Sequence, residues 1–505
     1  MKNPTNISKI NSLILRLLLV GVILVAFNSS TVRANSTLGF NYWLPGYASN
    51  VLDNANWTSA NRMAVQVDLD HIASLGGGVI RLMFLSEASG IYNPSELAEQ
   101  TTNLPTLLGY CSERNIKVII CFGNDYLNGI NRDTGNEWWK DFYGNNYQGF
   151  TNFLYATSNW VNGFVDACES SPYSSSILYY DYQNEYNQYT PYVGWYCTFL
   201  YDWSHVPAGK RGISVLNVDP TSPNTDDVND LRYELGTTRT LDFVDFHSYV
   251  NFNSDLERCY DSVKARFPSA TVLVGEYGKS SDDVGVQGGE AGQQAMVLDL
   301  CTRAKNKNIP YNLVWMFGDN TFGNFGMAYN TYDPKDVLGG MSALNNLIYN
   351  PDAELVSGGR PIGWAAGSSG SIIFSTGGPS AADAAANNYY ARIQCNTPNA
   401  SVWMNAPTIT VTGGTKLFVN SYIRSNMRDV FMLVNEYNSN WGFIKRESGP
   451  LYQPTGWSMN NYLARAGSWS AQLDGATHYV IVSVLGTGNG GQSYLDVDVM
   501  SASTR

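Results

Sequence analysis

Eight times between residues 37 and 348, a short apolar run of β character is followed by a stretch with helical periodicity. The runs are Leu38–Trp43, Gly78–Phe84, Ile116–Phe122, Ile177–Gln183, Gly212–Asn217, Phe243–Tyr249, Thr271–Glu276 and Asn312–Phe317. Several are continuously apolar, as expected of parallel strands covered on both faces. The intervals carry amphipathic segments such as Val65–Leu75, Leu104–Arg114 and Gln293–Lys305. This pattern predicts an α/β fold, a (β/α)8 TIM barrel. A doubly wound open sheet is the competing architecture, but no GxGxxG or Walker loop follows any run.

After residue 349 the pattern changes. Ser357-Gly-Gly-Arg-Pro361 and the Gly- and Ser-rich stretch 365–371 break the chain into short pieces. Alternating runs follow at Ser371–Ser375, Thr408–Thr412, Lys416–Ile423, Val430–Asn435, His478–Leu485 and Tyr494–Met500. Closely spaced short strands with turn signals predict an all-β sandwich. The expected units are therefore a leader over 1–34, a barrel over 35–349 and a sandwich over 350–505.

The leader reads as a secretory signal. Lys2, Lys9 and Arg16 form a basic head, Leu17–Phe27 is an uncharged apolar run, and Val32-Arg33-Ala34 places small residues at a cleavage site. A membrane anchor is the alternative, but the run is short against the ~20 apolar residues of a spanning helix. The expectation is a secreted, extracellular monomer with no membrane attachment after cleavage. The net charge of −12 argues against nucleic acid, which is bound by clustered Lys and Arg. The seven cysteines are odd in number and contain no CxxC, which is neither a zinc pattern nor a disulfide scaffold.

Active groups of such barrels sit at the C-terminal ends of strands. The fourth run ends in Asn184-Glu185 and the seventh in Glu276. Two carboxylates opposed across a cleft can split a glycosidic bond: a protonated one helps the leaving oxygen depart while an ionised one attacks the anomeric carbon. Mutual repulsion and unequal burial separate their pKa values. Catalysis of this kind needs no cofactor. Aromatic and amide residues, among them Trp43, Trp138, Trp139, Tyr186, Asn187 and Trp195, crowd the segments after the runs, as in clefts that stack sugar rings. The segment 124–160 reads as an insertion shaping one end of that cleft.

Asn-Glu at the fourth strand and Glu at the seventh resemble the paired glutamates of clan A glycoside hydrolases, particularly the family 5 cellulases and mannanases. Arg81 in Val79-Ile-Arg-Leu82, His247-Ser-Tyr249 and Trp315 fit the same pattern in the same order, and the resemblance covers residues 37–348. It implies a retaining β-glycoside hydrolase acting on β-linked glucan or mannan. Glu185 would be the acid/base and Glu276 the nucleophile. Asn184 would bind the sugar 2-hydroxyl, and Arg81 and Tyr249 would keep Glu276 ionised. His247 would sit near the acid/base, and Trp315 would floor the subsite. The chain departs from the family at Tyr186, where members often carry Pro. It also departs after the third run, where Asn124 and Asp125 stand near the place of a family His; these two are the expected sugar ligands there. A transglycosylase using the same Glu pair, and a non-catalytic carbohydrate-binding protein, are the alternatives.

The segment from Asn350-Pro-Asp-Ala-Glu354 to Tyr494-Leu-Asp-Val-Asp498 resembles a jelly-roll carbohydrate-binding module. Such modules often hold a structural calcium ion between first and last strands, which would place Glu354 and Asp496 as oxygen ligands. Trp403, Trp441, Trp457 and Trp469 are its candidate binding residues.

Overall fold

The computed structural model describes residues 36–43, 52–83, 94–123, 147–187, 193–219, 221, 226–249, 253–282, 289–318, 326, 341, 356–357, 360–361, 363–377, 390–452, 469–489 and 493–504. The leader and the 342–355 boundary lie outside these residues. In the first unit strands and helices alternate: β1 (Thr37–Asn41), α1 (Ser59–Ser74), β2 (Val79–Met83), α2 (Pro94–Glu113), β3 (Lys117–Cys121), α3 (Tyr147–Ser170), β4 (Ile177–Asp181) and α4 (Val193–Trp203). Then come β5 (Arg211–Val215), α5 (Asp227–Leu235), β6 (Phe243–Ser248), α6 (Leu256–Arg266), β7 (Thr271–Tyr277), α7 (Gly289–Asn306) and β8 (Tyr311–Val314). The eight strands are parallel and close into a barrel, with β8 pairing β1. The fold is a TIM barrel.

Side chains alternate along each strand, and this places the site. Phe40, Ile80, Val118, Ile120, Tyr180, Val244, Phe246, Val272 and Val274 share one buried cluster with the apolar faces of the helices. The opposite parity fills the barrel. Val79, Ile119, Phe243, Leu273 and Leu313 form a separate apolar cluster at its base. Gly212 makes room for it, since a Cβ there would lie 2.0 Å from the Phe243 ring. Two residues further along the same strands stand Asn41, Arg81, Cys121, Asp181, Ser214, Asp245 and Gly275. The interior thus turns from apolar to charged in one step of the pleat.

Local chemistry fixes the helix starts. Thr58 caps α1 and Asp226 caps α5, each accepting a backbone N–H of the first turn. The segment expected to be an insertion is in its latter part a barrel helix. From Tyr147 onward it is α3, which buries Phe150, Phe153, Leu154, Thr157, Val161, Phe164 and Val165 at helical spacing. It therefore lies on the barrel wall, and residues 124–146 lie outside the described residues.

The second unit is antiparallel. One sheet runs Ala365–Ser368, Ser401–Asn405, Tyr479–Thr487, Arg428–Tyr437, Phe443–Tyr452. The other runs Ile372–Gly377, Tyr390–Cys395, Ser493–Thr504, Lys416–Ser425, Trp469–Gln472. Val402, Met432, Val434, Val482 and Val484 of the first meet Ile393, Leu417, Val419, Leu495 and Val497 of the second in one buried core. The sandwich docks on α1: Ser501 Oγ lies 2.6 Å from Ser74 Oγ, and Phe418 joins the barrel's core. All seven cysteines are buried free thiols. Among the described residues no helix is long and apolar enough to cross a membrane.

Candidate active site

The chain beyond β4 is pinned on both sides of Glu185. The N–H of Asn184 donates to the Gly123 carbonyl at 2.7 Å, and the N–H of Tyr186 donates to the Ser214 carbonyl at 2.7 Å. The Tyr186 hydroxyl donates to Asp230 at 2.5 Å. Between these anchors Glu185 adopts φ = 56°. That left-handed conformation costs a non-glycine residue ~1–3 kcal/mol and concentrates at functional sites. Here it aims the carboxylate at its neighbours.

Those neighbours come from β6 and β7. The register of this pair shifts between Phe246 and His247 and then sets His247 beside Glu276. His247 Nδ1 lies 2.8 Å from Glu185 Oε1 and 3.2 Å from Glu276 Oε2. One ring nitrogen therefore faces both carboxylates. The other, Nε2, lies 2.9 Å from Ser214 Oγ and 3.7 Å from Asp245 Oδ1. Glu276 is buried with a partner on each oxygen: Arg81 Nη1 donates to Oε1 at 2.9 Å, and the Tyr249 hydroxyl donates to Oε2 at 2.8 Å.

Arg81 is the hub. Besides Glu276, it donates to Asn41 Oδ1 at 3.2 Å, Asp181 Oδ2 at 2.6 Å and Asn184 Oδ1 at 2.7 Å. Its Nε lies 3.9 Å from Asp245. Burial opposes the charge of this fully enclosed guanidinium, but the Cys121 sulfur and the carboxylates of Asp245, Asp181 and Glu276 outweigh it and hold Arg81 cationic. The same burial raises the pKa of Asp181 and of Asp245, with Arg81 opposing both shifts. Burial pushes Glu276 from 4.5 up to about 7, against the pull of His247, Arg81 and the Tyr249 hydroxyl and with the repulsion of Glu185. Burial lowers the pKa of His247, so the ring is held neutral.

Six of the residues expected at the site from sequence, Glu185, Glu276, Asn184, Arg81, His247 and Tyr249, meet in this network. Trp43 and Trp315 meet beside it, edge to face with centroids 5.4 Å apart, in a cluster with Met83, Cys121 and Met316. Asn124, Asp125 and Glu354 lie outside the described residues. Asn41, Asp181, Ser214 and Asp245 were not anticipated. Their signal is parity: each sits two residues beyond an inward-facing base position.

Two places can be tested for a metal, one in this network and one in the sandwich. Ligand atoms of Glu185, His247 and Glu276 lie within 4.8 Å of one another. Both oxygens of Glu276 are already engaged, one by a guanidinium, which disfavours a second cation. Asp496 does not fit the expected calcium either. Arg392 holds it through two bonds of 2.7 and 2.8 Å and Arg424 through one of 2.9 Å, so two cations already neutralise this carboxylate.

No family model and no curated protein matches the sequence. Solved structures do. A GH5_18 protein from Streptomyces cattleya in complex with Manβ1-4GlcNAc is 15% identical with a TM-score of 0.42, over 59% of this chain and 76% of that one. TmCBM61 in complex with β-1,4-galactotriose is 15% identical with a TM-score of 0.24, over 32% of this chain and 99% of that one. The enzymatically active domain of bacteriophage CBA120 tailspike protein 4 is 10% identical with a TM-score of 0.26, over 39% of this chain, and this chain spans only 25% of that domain.

Proposed function

We propose that the protein is a retaining glycoside hydrolase, exported through its N-terminal leader, that cleaves β-linked glycans of the mannan or glucan type. The observation that carries this reading is the pair Glu185 and Glu276, whose carboxylate oxygens come within 4.8 Å of each other at the ends of β4 and β7. Retaining enzymes need the two carboxyl groups ~5–5.5 Å apart, whereas inverting enzymes leave ~6.5–9.5 Å for a water molecule.

Glu276, ionised and oriented by Arg81 and Tyr249, attacks the anomeric carbon. The bond to the leaving oxygen breaks as Glu185 transfers its proton to that oxygen. A glycosyl ester on Glu276 results. Glu185, now a carboxylate, takes a proton from water, whose oxygen attacks the anomeric carbon and frees Glu276. Asn184 gives its amide oxygen to Arg81, so its N–H2 is the group it brings to the sugar 2-hydroxyl. Trp43 and Trp315 supply an apolar face for the ring.

The test is incubation of purified protein with soluble β-mannans and β-glucans, with the anomer of the first product followed by proton NMR. Shortened chains released with the β-configuration, and none from the Glu276→Ala variant, are expected. An inert panel, or an α-configured first product, refutes the reading.

A further inference from the structure

Two aspartic side chains lie fully enclosed in the same layer of the barrel interior, and their surroundings differ. Asp181, at the end of β4, is satisfied as an anion. Its Oδ2 accepts Arg81 Nη2 at 2.6 Å, and its Oδ1 accepts the backbone N–H groups of Gln183 at 3.2 Å and Ser214 at 3.1 Å. Asp245, on β6, is not. Among the described residues neither of its oxygens completes a hydrogen bond.

The groups around Asp245 come from the strands on both sides. Ser214 is its register partner on β5. Arg81 reaches toward it from β2, with Nε 3.9 Å from Oδ2. His247, two residues further along β6, has Nε2 3.7 Å from Oδ1. On β7, Gly275 leaves it room, since a Cβ there would lie 2.5 Å from its carboxyl. Burial raises its pKa; Arg81 opposes the rise, Asp181 adds to it, and His247 and the Ser214 hydroxyl oppose it more weakly.

An ionised carboxylate would not rest in this position. The Arg81 Nε–H is itself without a hydrogen-bond partner. A charge-assisted bond to it would close to ~2.7–2.9 Å, and Asp245 stops about 1 Å short. Asp181 and Glu276 already share the one cation. A third buried charge, with neither solvent nor hydrogen bonds, is heavily penalised, and a carboxyl so placed keeps its proton.

The protonation of Asp245 bears on the ring beside it. Ser214 Oγ lies 2.9 Å from His247 Nε2. A carboxylate at Asp245 would draw the Ser214 hydrogen toward itself, and Ser214 would then accept a hydrogen from Nε2. Nδ1 would be left bare, facing Glu185 at 2.8 Å and Glu276 at 3.2 Å. A protonated Asp245 reverses the direction. It offers its hydrogen to Ser214, Ser214 offers its own to Nε2, and Nδ1 carries the ring hydrogen toward the two glutamates.

We propose that Asp245 is a positioning residue, a neutral carboxylic acid that sets the tautomer of His247 through Ser214. The proposal deepens the catalytic reading, and only the kinetic half of its test rests on that reading.

Infrared spectra of the full-length protein test the protonation. Aspartate is isotope-labelled at the side-chain carboxyl carbon, and spectra are taken at pH 8, where Glu276 with its pKa of about 7 is largely ionised. The label moves aspartic bands and leaves those of Glu185 and Glu276 in place. A carbonyl stretch of a protonated acid is expected, moved by the label and absent from Asp245→Asn. Kinetics then test the role. Asp245→Asn keeps a neutral donor, so the acid limb of kcat/KM should stay at the wild-type pH. Asp245→Ala removes the donor and should lower kcat about tenfold with KM little changed, a loss that Asp245→Asn should largely avoid. The proposal is overturned if no such band appears, or if the two variants lose kcat equally. It is also overturned if the limb of Asp245→Asn drops by about one pH unit or more, as removal of a nearby anion would require. A protein that shows the band yet cleaves no glycan refutes the catalytic reading and leaves the protonated acid standing.

Discussion

The burial of Glu276 has a thermodynamic signature that can be read without any substrate. Its carboxyl moves from an ordinary 4.5 to about 7 on folding, chiefly through burial. Below pH 4.5 the folded and unfolded chains both hold this proton. Between 4.5 and 7 only the unfolded chain releases it, so the folded state binds more protons and stability falls as pH rises. Above 7 both are ionised and the loss is complete. The gap corresponds to about 3 kcal/mol. Glu276→Gln keeps the shape and hydrogen-bonding reach of the side chain but cannot ionise, so it escapes this loss. The stability difference between variant and wild type should therefore grow in the variant's favour by about 3 kcal/mol from pH 4 to pH 8. Taking the difference between two pH values cancels contributions that do not titrate, such as altered packing against Arg81. Urea unfolding followed by tryptophan fluorescence is the assay. With an m-value of about 3 kcal/mol/M, the midpoint difference should widen by about 1 M. A difference that stays flat with pH would refute the claim that Glu276 bears an uncompensated burial penalty.

Four further outcomes follow from the same contacts. The acid limb of kcat/KM should centre near pH 7, because Glu276 must be ionised to attack, and activity should fall as pH drops below it; a pH–rate profile on a soluble glycan reads this. Tyr249→Phe removes one donor from Glu276 and should move that limb up by about one pH unit without unfolding the protein, as circular dichroism would verify. Arg81→Met leaves Asp181 and Glu276 without their cation and should destabilise the barrel by about 3–5 kcal/mol in urea titrations. Gly275→Ala would bring a Cβ within 2.5 Å of the Asp245 carboxyl, and should cost about 1–3 kcal/mol in denaturation and depress turnover by displacing Glu276.

The barrel was legible because parallel strands covered on both faces are largely apolar, and several of the eight runs are continuously so. Glu185 and Glu276 were legible because each polar residue stands where an apolar run stops. Asp181 and Asp245 were harder, since a single carboxylate within a run gives no sign of facing inward. Only counting in twos from Tyr179 and Phe243, which the structure stacks at the barrel base with centroids 4.5 Å apart, assigns them to the interior. The helix α3 was missed in its first turns because Gly149, Thr151, Asn152, Thr157, Ser158 and Asn159 are poor helix formers that read as loop. Its buried aromatic spacing is helical all the same. In the sandwich the strand Phe443–Tyr452 escaped notice because it is an edge strand carrying Lys445, Arg446 and Glu447. Charge on an edge suppresses pairing with other chains and also masks the alternation.

The neutrality of His247 is what permits two carboxylates to divide their labour here. A cationic imidazole, 2.8 Å from Glu185 and 3.2 Å from Glu276, would stabilise both as carboxylates, and no acid would remain to protonate a leaving oxygen. Burial keeps the ring uncharged. Nδ1 faces two carboxylates, which accept hydrogen bonds, so with its hydrogen on Nδ1 the ring can serve either one as a neutral donor. The pair must then hold a proton of its own. Burial raises the pKa of Glu276, and the Arg81 and Tyr249 contacts work against that rise and orient its carboxylate, so it is the attacking group once it ionises. The assignment of Glu276 as nucleophile thus rests on contacts set one pleat deeper in the barrel, where Asp181 and Asn41 fix the guanidinium that bonds its carboxylate.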